Sequence, residues 1–338
     1  MKQGCKNFLR LSGCLPGVLL LLATVRCELL QSAGNDPEAA SWQISPETVF
    51  PDGKPANVYI QELVDALNAQ TAAGAPVSEQ ELRDLVQRAA TVVYHDRVIK
   101  YATPLSVNIQ NREHEDFSKI FLKPKRIAQG VAFMQTHDST LAKAQQRYRV
   151  RKQDVVAILM WESGLGEFTG DHLIFNILLG QLLYLEAARD VAVTHLIAEG
   201  EMDSSARVMT APERARLQRL RKSAVRNLAA LIRLGKEKGY DAVAVKGSWG
   251  GAIGYVQFMP SSMQFAADGD GDGRIDLCTW PDAIFSVANY LHKNGYRDSE
   301  RSRRRAIHAY NPLDSYVNGV VKYADAVWKG HESSLTEN

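Results

Sequence analysis

Hydrophobic positions recur at helical spacing along most of the chain. Apolar residues at 58, 60, 63, 64 and 67 predict a first helix, and Ser78 with Glu81 forms the pattern of a capping box before the next one. The stretches 123–148 and 152–162 are also predicted helices. Residues 172–197 are apolar nearly all round, which predicts a buried helix or helix pair. The predicted fold class is therefore mainly α.

One region in the C-terminal half of the chain differs in composition from the helical stretches. Residues 246–280 are too rich in glycine for a helix, and the alternation in AIGYVQF, residues 252–258, predicts a small β-hairpin. A long helix precedes this region, with Thr210 before it and Gly239 after it, and its outer face is basic. That face is either solvated surface or a contact for an acidic partner. Two further helices are predicted at 281–294 and 315–330.

The first 27 residues have the pattern of a targeting segment. Lys2, Lys6 and Arg10 precede the apolar run CLPGVLLLLATV, which is short for a membrane span. Arg26 lies where a cleavage site prefers small residues. The segment 1–27 is therefore predicted to be a signal peptide or an uncleaved N-terminal anchor, followed by a polar linker at 28–45.

Composition narrows the class of protein. The 338 residues are 45% hydrophobic and 23% charged, which is enough for one large or two modest cores. Lys+Arg 40 against Asp+Glu 38 gives a net charge of +2, which argues against nucleic acid as a partner. Cys5 and Cys14 lie in or before the apolar run, so the mature protein keeps at most Cys27 and Cys278, and a disulfide framework and a cysteine-rich metal site are excluded.

The segment DGDGDGRID has the spacing of a calcium-binding loop. Aspartates occupy places one, three and five, Gly273 provides the turn at place six, and Ile275 takes the apolar eighth place. Thr279 stands where the closing glutamate is usual, and Asp282 can close an enlarged loop instead. An acidic turn without an ion is the alternative. The ligands that the spacing predicts are Asp268, Asp270, Asp272, the backbone carbonyl of Arg274, Asp276 and Asp282.

Glu162 ends a strongly apolar helix in the segment VVAILMWESGLGEF, residues 155–168. A carboxylate beside so much apolar surface is costly unless it is paired, hydrogen-bonded or used in chemistry. A glutamate that points to water at the helix end is the alternative interpretation, and the segment alone does not decide between them.

The motifs ESGLG, GAIGYVQFMPSS, DGDGDGRIDL, SVANYL and YNPLDSYV occur in this order. The chain thereby resembles the lytic murein transglycosylase B family from about residue 80 onwards, most closely at 150–168 and 246–330. The resemblance implies a lysozyme-like helical core with a small β-hairpin and an EF-hand-like calcium loop. It divides the chain into an N-terminal helical lobe at 46–150, a lysozyme-like catalytic core at 151–330 that includes the calcium loop 268–282, and a tail at 331–338.

The family resemblance also implies an activity. It is cleavage of the β-1,4 bond between N-acetylmuramic acid and N-acetylglucosamine in peptidoglycan, with a 1,6-anhydro product and no water consumed. Calcium would be a structural ion, no organic cofactor would be needed, and the location would be the bacterial periplasm or cell envelope. Peptidoglycan strands are the implied partner and other cell-wall enzymes are candidates, while a membrane is contacted only through an uncleaved N-terminus.

In this resemblance Glu162 matches the family's single acid/base. An apolar environment suits that role, because burial keeps a carboxyl protonated until it donates. The positions that match glycan contacts are Ser163, Ser248, Gln257, Phe258, Tyr290, Tyr310, Asn311 and Tyr316. The paired arginine of the family would fall near Ala187 and Ala188, and 190–212 does not match, so contacts to peptide stems are not transferred. A non-catalytic wall-binding protein and a muramidase that uses water are the alternatives.

Overall fold

The computed structural model describes residues 63–66, 77–89, 95–104 and 121–336. These residues are largely helical, so the predicted mainly α class is confirmed. The predicted leader at 1–27 and linker at 28–45 lie outside the described residues. None of the described helices is both long enough and apolar enough to cross a lipid bilayer.

Eleven helices can be labelled in chain order within the described residues. They are α1 (Glu79–Ala89), α2 (His95–Ala102), α3 (Pro124–Thr136), α4 (Asp138–Tyr148), α5 (Lys152–Ser163), α6 (Ile174–Leu183), α7 (Leu185–Ala198), α8 (Ala211–Lys238), α9 (Trp280–Lys293), α10 (Glu300–Tyr310) and α11 (Asp314–Thr336). Short 3-10 turns occupy Ser204–Arg207, Ala242–Ala244 and Pro260–Phe265, and the strands are β1 (His172–Leu173) and β2 (Lys246–Gly247).

Several predicted boundaries shift. The predicted helix at 123–148 is two helices, because the chain leaves helical geometry at His137 (φ −108°, ψ 20°). The apolar stretch 172–197 is a helix pair, as predicted. Helix α11 continues through Thr336, so the predicted tail at 331–338 begins too early.

The chain divides into two compact units, each assembled from separate segments. Of the described residues, unit 1 contains 121–170 and 252–336, and unit 2 contains 63–66, 77–89, 95–104 and 171–251. This division differs from the predicted lobe at 46–150 and core at 151–330. The reason is packing: α3 and α4 pack against α11 and α9, whereas α6 packs against α8.

Helix α5 is the central helix of unit 1. Every residue from Asp154 to Ser163 is buried, and the helix packs against α3, α9 and α11. The ring of Trp161 lies 4.2 Å from that of Phe121 and 6.1 Å from that of Tyr323, measured between centroids. A Cβ atom on Gly319 would lie 2.3 Å from the Trp161 ring. Glycine at 319 therefore allows α11 to approach α5 at this point.

A buried ion pair fixes the first turn of α5. Asp154 is fully buried, and Arg303 donates to it from Nε at 3.0 Å and from Nη2 at 2.6 Å. The Tyr296 hydroxyl donates to the same carboxylate, and Arg303 also contacts Asp325 at 3.0 Å. Each buried charge therefore has partners, which compensates for its loss of hydration. The cluster joins α5, α10 and α11 at the opposite end of α5 from Glu162.

Unit 2 is organised around α6 and α8. Helix α6 is buried at every position and packs against α8, while α7 packs against α2. Helix α8 is preceded by Thr210 and followed by Gly239, as predicted, and Thr210 forms a capping box with Glu213. Strands β1 and β2 form a short antiparallel ladder with His172 opposite Gly247.

The hairpin predicted at 252–258 is not formed. The segment is a tight turn closed by one antiparallel bridge, in which Ile253 and Phe258 exchange N–H···O bonds of 2.8 and 3.1 Å. Gln257 has a positive φ of 50°, which bends the chain away from strand geometry. The alternating pattern therefore predicted a pair of strands where the chain forms a turn.

Candidate active site

Glu162 lies in the last turn of α5, where the chain turns sharply. Gly164 follows in the left-handed conformation (φ 61°), and its N–H donates to carbonyls of the last turn. The Ser163 hydroxyl donates to the carbonyl of Leu159 at 3.2 Å and accepts the N–H of Gly166 at 3.1 Å. Ser163 is therefore buried in the turn and orders it.

The carboxyl group of Glu162 is buried and hydrogen-bonded. The side chain is 2% exposed, and the hydroxyl of Tyr316 donates to Oε1 at 2.5 Å. Burial raises the pKa of Glu162 to about 8, and the hydrogen bond from Tyr316 opposes part of that rise. The interpretation in which Glu162 points to water is wrong. Burial favours the neutral form of the carboxyl group, and a hydrogen-bond donor is already aimed at it.

Aromatic side chains from three helices and the 253–258 turn surround this carboxyl. Burial raises the pKa of Tyr290, Tyr310 and Tyr316, and the charge of Glu162 raises all three further. The ring of Phe258 lies 5.5 Å from that of Tyr290 and 5.8 Å from that of Tyr310. The structure thus brings these four predicted site residues together around Glu162.

The other two tyrosine hydroxyls donate to backbone carbonyls. The Tyr290 hydroxyl donates to the carbonyl of Ala309 at 2.7 Å, and the Tyr310 hydroxyl donates to the carbonyl of Val256 at 2.6 Å. Their ring centroids are 4.6 Å apart. These tyrosines therefore offer ring surface more than free hydroxyl groups.

The remaining predicted glycan contacts are Gln257, Asn311 and Ser248. Gln257 is 8% exposed, and its Nε2 donates to the carbonyl of Gly254 at 2.8 Å, so the partner that its amide needs lies within the turn. Asn311 is half-buried at the C-terminal end of α10, next to Tyr310. Ser248 is buried in unit 2, and its role in the site stays a prediction.

Glu167 is the nearest acidic residue along the chain to Glu162, and it is already paired. Arg126 Nη1 lies 2.9 and 2.8 Å from its two carboxylate oxygens, and Gln129 donates to it at 3.3 Å. The pair is partly exposed, at 24% for Arg126 and 38% for Glu167. These contacts anchor the Glu167 carboxylate to α3.

The aspartate loop gathers three of its predicted ligands. Single carboxylate oxygens of Asp268, Asp270 and Asp282 lie within 4.8 Å of one another. Asp282 also accepts the N–H groups of Gly269 at 2.7 Å and Asp276 at 2.6 Å, so it joins both ends of the loop to the first turn of α9. Hard oxygen donors at this separation fit a calcium ion.

The other predicted ligands have local roles in this structure. The carboxylate of Asp272 accepts the N–H of Arg274 at 2.8 Å, and that of Asp276 accepts the N–H of Cys278 at 2.9 Å. Asp268 accepts the N–H groups of Gly271 and Gly273, which lowers its pKa. These bonds shape the loop, and the carboxylates of Asp272 and Asp276 lie outside the gathered group.

An aromatic stack that the sequence did not indicate supports the site. Tyr255 and Trp280 stack with centroids 4.1 Å apart and an interplanar angle of 22°, and Phe133 meets Trp280 edge-on at 4.7 Å. The backbone at Gly166 passes directly beside both rings. The stack therefore connects the chain after Glu162, the 253–258 turn and the start of α9. Three distant segments contribute to it, and no local pattern predicts such a contact.

Residues 60–312 match the model of the transglycosylase SLT domain family, which is more than half of the chain. The chain belongs to the transglycosylase SLT domain family. The resemblance inferred from the motifs is confirmed.

One named relative of this SLT domain protein agrees with that assignment. Membrane-bound lytic murein transglycosylase B of Escherichia coli (strain K12) is 29% identical over 181 residues, which are 53% of this chain and 41% of the relative. The match therefore spans less than half of the relative's length. The fold is similar to that of the Escherichia coli lytic transglycosylase Slt35 in complex with calcium, with TM-score 0.57 and 19% identity over 86% of this chain and 99% of that one.

A second solved structure shares the fold of this SLT domain protein. It is SltB3 from Pseudomonas aeruginosa in complex with NAG-anhNAM-pentapeptide, with TM-score 0.52 and 23% identity over 79% of each chain. The transglycosylase fold that the motifs implied is therefore confirmed.

Proposed function

We propose that this SLT domain protein is a lytic transglycosylase. It would cleave the β-1,4 bond between N-acetylmuramic acid and N-acetylglucosamine in peptidoglycan and form a 1,6-anhydro-muramic acid end. One observation carries the proposal: burial raises the pKa of Glu162 to about 8, so the carboxyl holds a proton at neutral pH and can donate it. The family and the names of the relatives support it.

The proposed chemistry needs one acid/base group. Protonated Glu162 donates its proton to the glycosidic oxygen as the bond from that oxygen to C1 of the muramic acid breaks. The C6 hydroxyl of the same sugar then attacks C1, its oxygen forms the new C1–O6 bond, and its proton passes to the Glu162 carboxylate. The enzyme returns to its starting protonation state and no water is consumed. The acetamido oxygen of the substrate would stabilise the positive charge that develops at C1.

Tyr316 and Glu167 fit this one-acid scheme. Tyr316 donates to Glu162, so it would stabilise the carboxylate during the interval in which the proton is on the leaving sugar. A hydrolase normally uses a second carboxylate as base or nucleophile. Among the described residues, the side chain that hydrogen-bonds to Glu162 is a tyrosine, and Glu167 is paired with Arg126.

The glycan would bind along the aromatic side chains near Glu162. Rings suit the apolar faces of sugars, and the amides of Gln257 and Asn311 suit their hydroxyl groups. The residues that we propose as glycan contacts are those predicted from the motifs: Ser163, Ser248, Gln257, Phe258, Tyr290, Tyr310, Asn311 and Tyr316. Ser163 would act through the turn that it orders.

Calcium is the proposed structural ion of the aspartate loop. Asp268, Asp270 and Asp282 would hold it, with Asp272, Asp276 and the carbonyl of Arg274 as the further ligands that the spacing predicts. The gathered carboxylates repel one another without a cation, which favours binding. The calcium complex of the structural neighbour Slt35 supports the choice of ion. No organic cofactor enters the scheme.

The proposed location is the bacterial periplasm or cell envelope. Residues 1–27 would direct export, as a cleaved signal peptide or as an anchor. The relative in Escherichia coli is called membrane-bound, which supports the envelope as the compartment. Peptidoglycan strands are the proposed partner, with other cell-wall enzymes as candidates.

The decisive test is mass spectrometry of purified peptidoglycan digested with the wild-type protein and with Glu162→Gln. We expect anhydro-muropeptides from wild type and none from the variant, with both proteins folded by circular dichroism. Products with ordinary reducing ends would identify a muramidase that uses water. Binding of peptidoglycan without any product from wild type, with calcium supplied, would identify a non-catalytic wall-binding protein.

A further inference from the structure

The outer face of α8 carries a row of basic side chains. Arg219, Lys222, Arg226 and Arg233 are separated by three, four and seven residues, which places them on one side of a helix with 3.6 residues per turn. The opposite side of α8 is buried, and includes Leu217 and Leu228. We call these four residues the basic row.

The basic row lacks acidic partners among the described residues. Two other arginines of α8 do have partners: Arg221 bonds to Glu186, and Arg216 donates to the carbonyls of Tyr101 and Thr103. Arg219, Lys222 and Arg226 are exposed and take part in no ion pair with a described residue.

Arg233, at the C-terminal end of the basic row, has donor atoms without acceptors. Its Nε and Nη2 atoms are buried, and neither has a hydrogen-bond partner. Buried donors are normally satisfied, because an unpaired one costs free energy. A carboxylate that entered beside Arg233 would supply the missing acceptors.

We propose that the basic row binds the carboxylates of peptidoglycan peptide stems, which rests on the proposed function because it takes peptidoglycan as the substrate. Three of the four residues are arginines, whose planar guanidinium forks match carboxylates. Arg219, Arg226 and Arg233 follow one another at about 10.5 Å along the helix axis, a spacing close to the length of one disaccharide unit. Each disaccharide of the polymer carries one peptide stem.

An anionic membrane is the less suitable partner for this face. Helices that lie on membranes insert large apolar side chains next to their basic ones. The exposed large apolar residues of the described chain are Val208, Tyr240, Ile275, Trp328 and Leu335, and none lies between Arg219 and Arg233. The row therefore offers charge without an inserting surface, which suits dissolved carboxylate groups.

The test measures binding to insoluble peptidoglycan by co-sedimentation, with Glu162→Gln as the background so that the polymer is not digested. The variant combines Arg219→Gln, Lys222→Gln and Arg226→Gln. The control removes the same charge elsewhere, with Lys143→Gln, Lys322→Gln and Lys329→Gln, all exposed. We expect the variant to bind about tenfold more weakly and the control to bind as the background protein does.

Chemistry on the polymer identifies the bound group. The background protein should bind peptidoglycan with amidated stem carboxylates as weakly as the variant binds untreated peptidoglycan. Amidation should weaken binding by the variant only a little. Equal binding by variant and control would overturn the proposal. The proposal would also be overturned if the variant lost binding only to vesicles that contain anionic lipid, because the row would then be a membrane contact.

The experiment separates this proposal from the proposed function. Cleavage of glycan strands stripped of their peptides should be the same for the variant and control substitutions in a protein that retains Glu162. If wild type yields no anhydro products but binding still depends on the basic row and on free carboxylates, the row stands and the proposed reaction fails. Equal melting temperatures for variant and control exclude unfolding as the cause, and Arg219→Gln and Arg226→Gln singly provide milder changes.

Discussion

The hydroxyl of Tyr316 donates a 2.5 Å hydrogen bond to Oε1 of Glu162, across 154 residues of sequence. The two side chains are buried together, and their effects on the acid oppose each other. Burial raises the pKa of Glu162 to about 8, while the bond from Tyr316 favours the ionised form. Tyr316 therefore tunes how readily the acid gives up its proton.

The first prediction concerns the pH dependence of cleavage. Because Glu162 must be protonated to donate, kcat/KM should be level below about pH 8 and should fall as pH rises through that value. Tyr316→Phe removes the bond that favours the carboxylate. We expect the falling limb to move to higher pH and kcat to drop about tenfold. An unshifted limb, measured by release of anhydro-muropeptides, would show that Tyr316 does not tune the acid.

The second prediction is a stability gain from losing the acid. The folded pKa of Glu162 is about 8 and its ordinary value is 4.5. Folding thus favours the protonated form, and that stability is present below pH 4.5 and lost as pH rises toward 8. Glu162→Gln, which is always neutral, should exceed wild type by about 3 kcal/mol at pH 7. Denaturant unfolding at pH 4.5 and pH 7 tests this, since the gap should close at the lower pH.

The third prediction separates a one-acid enzyme from a hydrolase with two carboxylates. Glu167→Gln removes a partly exposed ion pair with Arg126 and should leave kcat within about threefold of wild type. Arg126→Gln is the matched change on the other partner and should behave alike. Loss of activity in Glu167→Gln alone would make Glu167 a catalytic group and favour the water-using mechanism.

The fourth prediction concerns the aspartate loop. Calcium at a hundredfold excess over its Kd should raise the melting temperature of the wild-type protein by about 5 °C or more. Asp268→Asn and Asp270→Asn together should abolish the rise, because they remove two of the gathered carboxylates. Asp314→Asn, an exposed aspartate in the first turn of α11, is the control and should keep it. If calcium raises the melting temperature of wild type, the double variant and the control equally, the ion binds outside the aspartate loop.

The fifth prediction concerns the buried pair at the other end of α5. Arg303→Met leaves Asp154 charged and buried, and should cost about 3–5 kcal/mol of unfolding free energy. Replacing both partners, as Asp154→Leu with Arg303→Met, removes the unpaired charge and should recover part of that loss. Urea unfolding of the two variants compares them directly. A double variant less stable than Arg303→Met would mean that the pair contributes more than mutual neutralisation.

The sequence predicted what depends on neighbouring residues. Helical spacing located α5, α8 and the α6–α7 pair, and the cost of a carboxylate on an apolar helix singled out Glu162. The same argument applies to Asp154, which stands on the same helix eight residues earlier and was not singled out. Its partner Arg303 lies too far along the chain for spacing to identify it. The signal was a charged residue in a buried helix. Its partner can be identified only from the fold.

Contacts between distant segments could not be predicted in this way. The stack of Tyr255 on Trp280 and the pairing of Glu167 with Arg126 depend on how helices pack. The hairpin prediction at 252–258 failed for a related reason. Alternating burial fits a strand, but the positive φ of Gln257 and the single Ile253–Phe258 bridge make a turn instead. The discontinuous units were hidden because chain order does not reveal which helices share a core.

Unit 1 is built from two separate chain segments, and this affects when the surroundings of Glu162 can form. Its two parts, 121–170 and 252–336, are separated along the chain by 171–251, which belong to unit 2. During synthesis the segment with Glu162 emerges well before the segment with Tyr316, and contacts so distant in sequence form late. The environment that keeps the acid protonated therefore cannot exist until α11 has arrived. Until α11 packs against α5, Glu162 lacks the hydrogen bond from Tyr316 and part of the burial that raises its pKa.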